Sequence, residues 1–174
     1  MLKNFSRIIS DFNFSLFSTL SIFFLIFLAE TSFAAGSSDS GSKETLYDKA
    51  VQQIKMAKKL EKKGKTEKAI KRYERAIKFL VKSNKMKPNK ADTLNYLGFA
   101  TRKIGDFENG EKYYLQGLAI EPNHIGINEY LGELYVATNR MDLAKERLSV
   151  LEGCNCDEYN QLKGVIDGSK KSKY

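Results

Sequence analysis

Residues 88–132 read PNKADTLNYLGFATRKIGDFENGEKYYLQGLAIEPNHIGINEYLG, and the stretch nearly repeats itself. Pro88-Asn89 returns as Pro122-Asn123, and Tyr96-Leu97-Gly98 returns as Tyr130-Leu131-Gly132, each pair 34 positions apart. Leu94, Leu97, Gly98 and Thr101 fall at helical spacing, and beyond Gly105 so do Tyr113, Tyr114 and Leu118. Each copy therefore reads as two helices joined by a turn. Pro88 and Pro122 each close a second helix, because the residue before a proline is driven out of the helical region. Asn89 and Asn123 are then expected to cap the helices that follow.

A 34-residue period with Leu97, Gly98, Gly105, Tyr114 and Pro122 in these places resembles the tetratricopeptide-repeat (TPR) family. The resemblance implies an all-α solenoid of about three helix-turn-helix repeats, at about 50–90, 91–124 and 125–153, plus a C-terminal capping helix at 157–167. The folded domain is expected over 44–168. Aligned from Gly64, the first repeat places Ala57, Ala69, Tyr73 and Ala76 at family positions, but Pro88 comes seven residues late. Seven residues is about two helical turns, so the second helix should run long, from about Glu67 to Met86. The third repeat keeps Leu131, Gly132, Tyr135, Ala144 and Leu148 but breaks off at Gly153-Cys154. Tyr159, Leu162, Val165 and Ile166 then form the apolar stripe of a cap, which the end of a solenoid needs. Gly110 and Gly117 stand where the family usually has Ala, at an expected cost of about 1 kcal/mol of helix stability each.

Ahead of this body, Lys3 and Arg7 precede the uncharged run Phe14–Leu28, followed by Ser32-Phe33-Ala34 with small residues at the minus-three and minus-one positions. That layout is a signal peptide over 1–34. The run of 15 residues falls short of the roughly 20 that a spanning helix needs, and an uncleaved anchor is the alternative. Residues 35–43 form a flexible polar tether, and 169–174 a loose basic tail. The mature protein is expected to be periplasmic or secreted.

Charge is unevenly shared. Residues 43–90 hold 17 Lys or Arg against 5 Asp or Glu, whereas 91–174 hold 10 against 13. Lys55, Lys58, Lys59, Lys62, Lys63, Lys71, Arg72 and Arg75 form a basic patch that attracts anions. Such a run can simply be a wet surface. As a binding face it suits an acidic protein surface, an anionic envelope polymer or lipid head groups, while an exported protein does not ordinarily meet nucleic acid. Lys outnumbers Arg, so geometry-specific bidentate recognition is not expected.

The family's groove positions fall here on Ile54, Lys58, Asn95, Tyr96, Phe99, Arg102, Tyr130 and Glu133. The resemblance implies that Tyr96, Phe99 and Tyr130 anchor a partner's peptide segment, with Asn95, Arg102 and Glu133 as polar contacts. The other reading is that they pack against neighbouring helices. Ile54, Gly126 and Tyr130 replace the Lys, Lys and Arg of the family's chaperone-tail clamp, so that role is not implied.

Cys154-Asn155-Cys156, followed by Asp157-Glu158-Tyr159, is similar to the ending of small exported bacterial TPR proteins. In an oxidising compartment the pair suits a disulfide; a redox-active or metal-handling accessory role through Cys154 and Cys156, or free thiols, stays open. The chain shows no phosphate-binding glycine loop, nucleophile elbow or His-Glu-x-x-His helix. The expectation is a non-enzymatic interaction scaffold or assembly adaptor of the cell envelope, without cofactor, metal or small-molecule substrate.

Overall fold

The structure, a computed structural model, describes residues 44–172. The expected signal peptide, the expected tether up to Lys43 and the last two residues of the expected tail lie outside the described residues. The described chain is helical, without strands: α1 (Leu46–Glu61), α2 (Thr66–Met86), α3 (Ala91–Lys103), α4 (Phe107–Ile120), α5 (Ile125–Ala137), α6 (Met141–Val150) and α7 (Asp157–Ile166).

Helices α1/α2, α3/α4 and α5/α6 form three hairpins, and the hairpins stack through α2 on α3 and α4 on α5. Equivalent turns build them. The amide of Lys65 donates to Leu60 O, that of Asp106 to Thr101 O, and that of Arg140 to Tyr135 O, at 3.0, 3.2 and 2.8 Å. This six-to-one closure requires a left-handed residue one position earlier. Gly64 (φ 68°) and Gly105 (φ 91°) supply it in two hairpins, and Asn139 (φ 58°) supplies it in the third.

The seam inside each hairpin pairs a small residue with a large one. Gly98 faces the fully buried Tyr114, and a Cβ on Gly98 would lie 2.5–2.8 Å from its ring atoms. In the first hairpin Ala57 and Tyr73, both 0% exposed, hold the matching places. The third hairpin differs. Gly132 abuts Leu162 of α7, because α6 ends at Val150 and α7 packs on α5 beside it. The two glycines that stand for Ala are close-approach sites: a Cβ on Gly117 would overlap Ile127 Cδ1, and one on Gly110 would sit 3.2 Å from Gly98 O.

Capping departs from the expectation. Neither Asn89 nor Asn123 caps a helix. Asn89 adopts φ 59°, Lys90 is the N-cap of α3 without a side-chain bond, and His124 caps α5 by accepting from Ile127 N at 3.2 Å through Nδ1. Left-handed backbone at Asn89 delays the helix start by one residue, so its side chain is not at the cap. Asn128, fully buried, donates to Pro122 O and His124 O, both at 3.0 Å.

Candidate functional site

On the inner face, α1, α3 and α5 stack, and the groove residues turn inward. Phe99 and Arg102 are 1% exposed and Glu133 is 0%. Phe99 lies edge-on to Tyr73 (centroids 5.9 Å) and 5.1 Å from Tyr130, under Lys58 Nζ at 4.4 Å from its centroid. A cation over an aromatic face is attracted to the ring's quadrupole, so Lys58 joins the first hairpin to the second.

Arg102 then joins the second hairpin to the third. Its Nη1 donates to Tyr130 O at 3.0 Å and its Nη2 to Glu133 Oε2 at 3.5 Å. Both side chains of this ion pair are fully buried. Burial pushes the Arg102 pKa below that of a free guanidinium, opposed by nearby Tyr114, Glu133 and Tyr130. Glu133 also accepts from Gln161 Nε2 at 3.2 Å and from Ser172 Oγ at 3.1 Å. One carboxylate therefore ties α3, α5, α7 and the end of the described chain together. These contacts are what keep a buried charge tolerable.

Four of the six expected groove residues, Phe99, Arg102, Tyr130 and Glu133, are thus brought together by contacts within the molecule. Phe99, Arg102 and Glu133 are out of a partner's reach in this conformation, and Asn95 is 8% exposed. Tyr96 and Tyr130 are half-buried, Tyr96 lying edge-on to Tyr47 at 5.7 Å. Periodicity could place these residues on one face. It could not reveal that Gln161 and Ser172, from beyond the third hairpin, would close over Glu133.

The basic patch has the opposite fate. Lys55, Lys59, Lys62, Lys63, Lys71 and Arg75 are exposed and have no ion-pair partner among the described residues. Two members of the expected patch are structural instead: Lys58 sits over Phe99, and Arg72 donates to Gln53 Oε1 at 2.9 Å. Elsewhere some charges are paired, as where Arg140 grips Glu111 at 2.8 and 2.7 Å and Lys103 meets Glu61 at 2.7 Å.

Cys154 and Cys156 are joined as a disulfide, with Sγ atoms 1.99 Å apart. Cys156 is the N-cap of α7, so the bridge lies at the start of the cap. Among the described residues, no three His, Cys, Asp or Glu side chains gather where they could hold a metal ion.

With this geometry in place, comparison with known proteins gives two findings. Residues 91–124 match the family model of the tetratricopeptide repeat. Together with the three stacked hairpins, this defines the fold as a TPR helix-turn-helix solenoid with a C-terminal capping helix. Among solved structures, the first TPR domain of Spaghetti (RPAP3), bound to the HSP90 peptide SRMEEVD, is similar at 19% identity and a TM-score of 0.47, covering 72% of this chain and 97% of that one. No curated protein matches the sequence.

Proposed function

We propose that this protein is a non-enzymatic interaction scaffold of the cell envelope, exported by its N-terminal segment, that docks an acidic protein surface on the outward side of its first hairpin. The observation that supports this most is the contrast in charge treatment. The second and third hairpins carry both signs of charge and bury or pair several of them, as in Arg102–Glu133 and Arg140–Glu111, while the first presents a large excess of exposed cations without an ion-pair partner among the described residues, Lys55, Lys59, Lys62, Lys63, Lys71 and Arg75 among them. Lysine ammonium groups on flexible stems act as point charges and suit an acidic surface of loose geometry. Association through them is fast and falls with ionic strength.

The inner face serves cohesion in this reading. Its aromatic and charged residues hold the hairpins in register, and the cap covers the third hairpin where a peptide would otherwise lie. The disulfide pins the start of that cap.

Lysine-directed crosslinking in intact cells, with the crosslinked positions mapped by mass spectrometry, tests the proposal. Intermolecular crosslinks to one partner's acidic segment should gather on Lys55, Lys59, Lys62, Lys63 and Lys71. Crosslinks spread evenly over all exposed lysines would contradict a docking face. If a Cys154→Ser/Cys156→Ser variant alone changes the partner recovered, the thiol-based accessory role replaces the scaffold reading.

A further inference from the structure

The late Pro88 gives α2 21 residues, against 14 in α4. Its last two turns run past the point where an ordinary hairpin would stop, and they leave a cleft. The cleft holds about 590 Å³ between the start of α1, the end of α2 and the start of α3. That is within the range of sites that take organic ligands, roughly 300–1,000 Å³.

Its walls are apolar. Leu46 and Tyr47 from α1 and Met86 from α2 line it, and Met86 is 72% exposed. A flexible thioether this open adapts to an inserted side chain. The rim is charged with both signs: Lys49, Lys87 and Lys90 stand beside Glu44 and Asp92. The three lysines have no ion-pair partner among the described residues. Asp92 meets His124 Nε2 at 3.2 Å through Oδ1, and 73% of its side chain stays exposed.

We infer that this cleft is a binding site for an acidic peptide segment carrying one bulky apolar side chain, which inserts between Leu46, Tyr47 and Met86. The mixed rim chooses this occupant. Acidic side chains flanking the anchor meet Lys49, Lys87 and Lys90, while the peptide's backbone N–H groups meet the carboxylates of Glu44 and Asp92. A fatty-acid carboxylate satisfies the lysines but brings no donor for those two carboxylates. An apolar anchor seated in a desolvated pocket is also the pattern that concentrates binding energy. The site is separate from the docking face proposed above: Lys59, Lys62 and Lys63 lie at the opposite end of α1, roughly 20 Å away at 1.5 Å per helical residue.

The test is fluorescence anisotropy on the full chain as its cell processes it. The probe is a labelled hexapeptide with a central Leu-Phe pair flanked on each side by two Asp or Glu, and a matched peptide has Ala-Ala at the centre. The expected result is saturable binding of the first peptide, weakened at least tenfold by the Ala-Ala change, by Met86→Glu, and by Lys87→Glu with Lys90→Glu. Lys59→Glu/Lys62→Glu/Lys63→Glu should shift it less than threefold, which separates this site from the docking face. Met86, Lys87 and Lys90 are exposed, and unchanged far-UV circular dichroism confirms that these variants fold. Binding that survives Met86→Glu overturns the inference. So does saturable dodecanoate binding with none of the peptide, or no peptide binding at all.

Discussion

The first and second hairpins share an interior and differ in their surface. Ala57 against Tyr73 repeats the arrangement of Gly98 against Tyr114, and all four are buried. Outside that seam the two part. The first hairpin lies within a segment carrying 17 basic and 5 acidic residues, and its second helix overhangs. The second hairpin is locked on its far side by Arg102 and Glu133 into the third hairpin and the cap. Where interiors match and surfaces diverge, the divergence is not needed for folding. The basic face and the α2 overhang are therefore where a specific function has room to reside, while the inner face is committed to cohesion.

The strongest way to break this division is to cut the buried pair. Glu133→Ala removes from the buried Arg102 the carboxylate at 3.5 Å, so we expect a loss of about 3–5 kcal/mol in urea denaturation. The paired change Arg102→Met/Glu133→Leu should recover most of it. If Glu133→Ala costs under about 1 kcal/mol, the inner face is not committed to cohesion and regains standing as a binding groove.

A smaller effect sharpens the contrast between the seams. In Gly98→Ala the new methyl meets a rigid, fully buried Tyr114 ring, and overpacking of this kind costs about 1–3 kcal/mol. In Gly132→Ala it meets the two Cδ branches of Leu162, also fully buried, which can rotate at lower cost than a planar ring, while alanine's helix preference returns about 1 kcal/mol in both variants. Thermal melts should rank Gly98→Ala well below Gly132→Ala. Equal losses would mean that α7 is as rigid a partner as α4.

The smallest expected effect lies at the start of the first hairpin. Asp48 and Thr45 form a capping box, with Thr45 Oγ1 donating to Asp48 Oδ2 at 2.6 Å and Thr45 N donating to it at 3.0 Å. These hydrogen bonds hold the Asp48 pKa below its ordinary 3.8, the side-chain bond having the larger effect. A depressed carboxylate pKa stabilises the fold above the unfolded value, and that contribution is lost as pH falls through the folded value. Thr45→Ala should therefore raise the Asp48 pKa toward 3.8 in an NMR titration. An unmoved pKa would show that the hydroxyl bond is not its cause.

Much of the fold could be read from particular residues. Gly64 and Gly105 marked turns that only a left-handed residue can make, and the delay of Pro88 anticipated that α2 would reach Met86. The failures are equally specific. Asn123 looked like the cap of α5, but His124 takes that place, since either side chain can accept from the helix start and only the backbone path decides between them. Phe99, Arg102 and Glu133 shared a face by periodicity, yet the Arg102–Glu133 pair joins residues 31 positions apart, and spacing does not distinguish a face open to solvent from one folded shut. The α2 overhang was legible as a projecting helix. The cleft beneath it was not, because it is closed by the start of α3, with Lys90 and Asp92, whose place beside α1 and α2 depends on the stacking.

The central claim is that the unpaired cations of the first hairpin dock a partner. The most direct measurement is the crosslinking experiment repeated with Lys59→Glu/Lys62→Glu/Lys63→Glu/Lys71→Glu beside the wild type, with recovered partner quantified at two ionic strengths. The account predicts one partner recovered by the wild type, diminished by added salt and lost at least tenfold in the variant, with circular dichroism unchanged. Equal recovery from both proteins at both ionic strengths would contradict it.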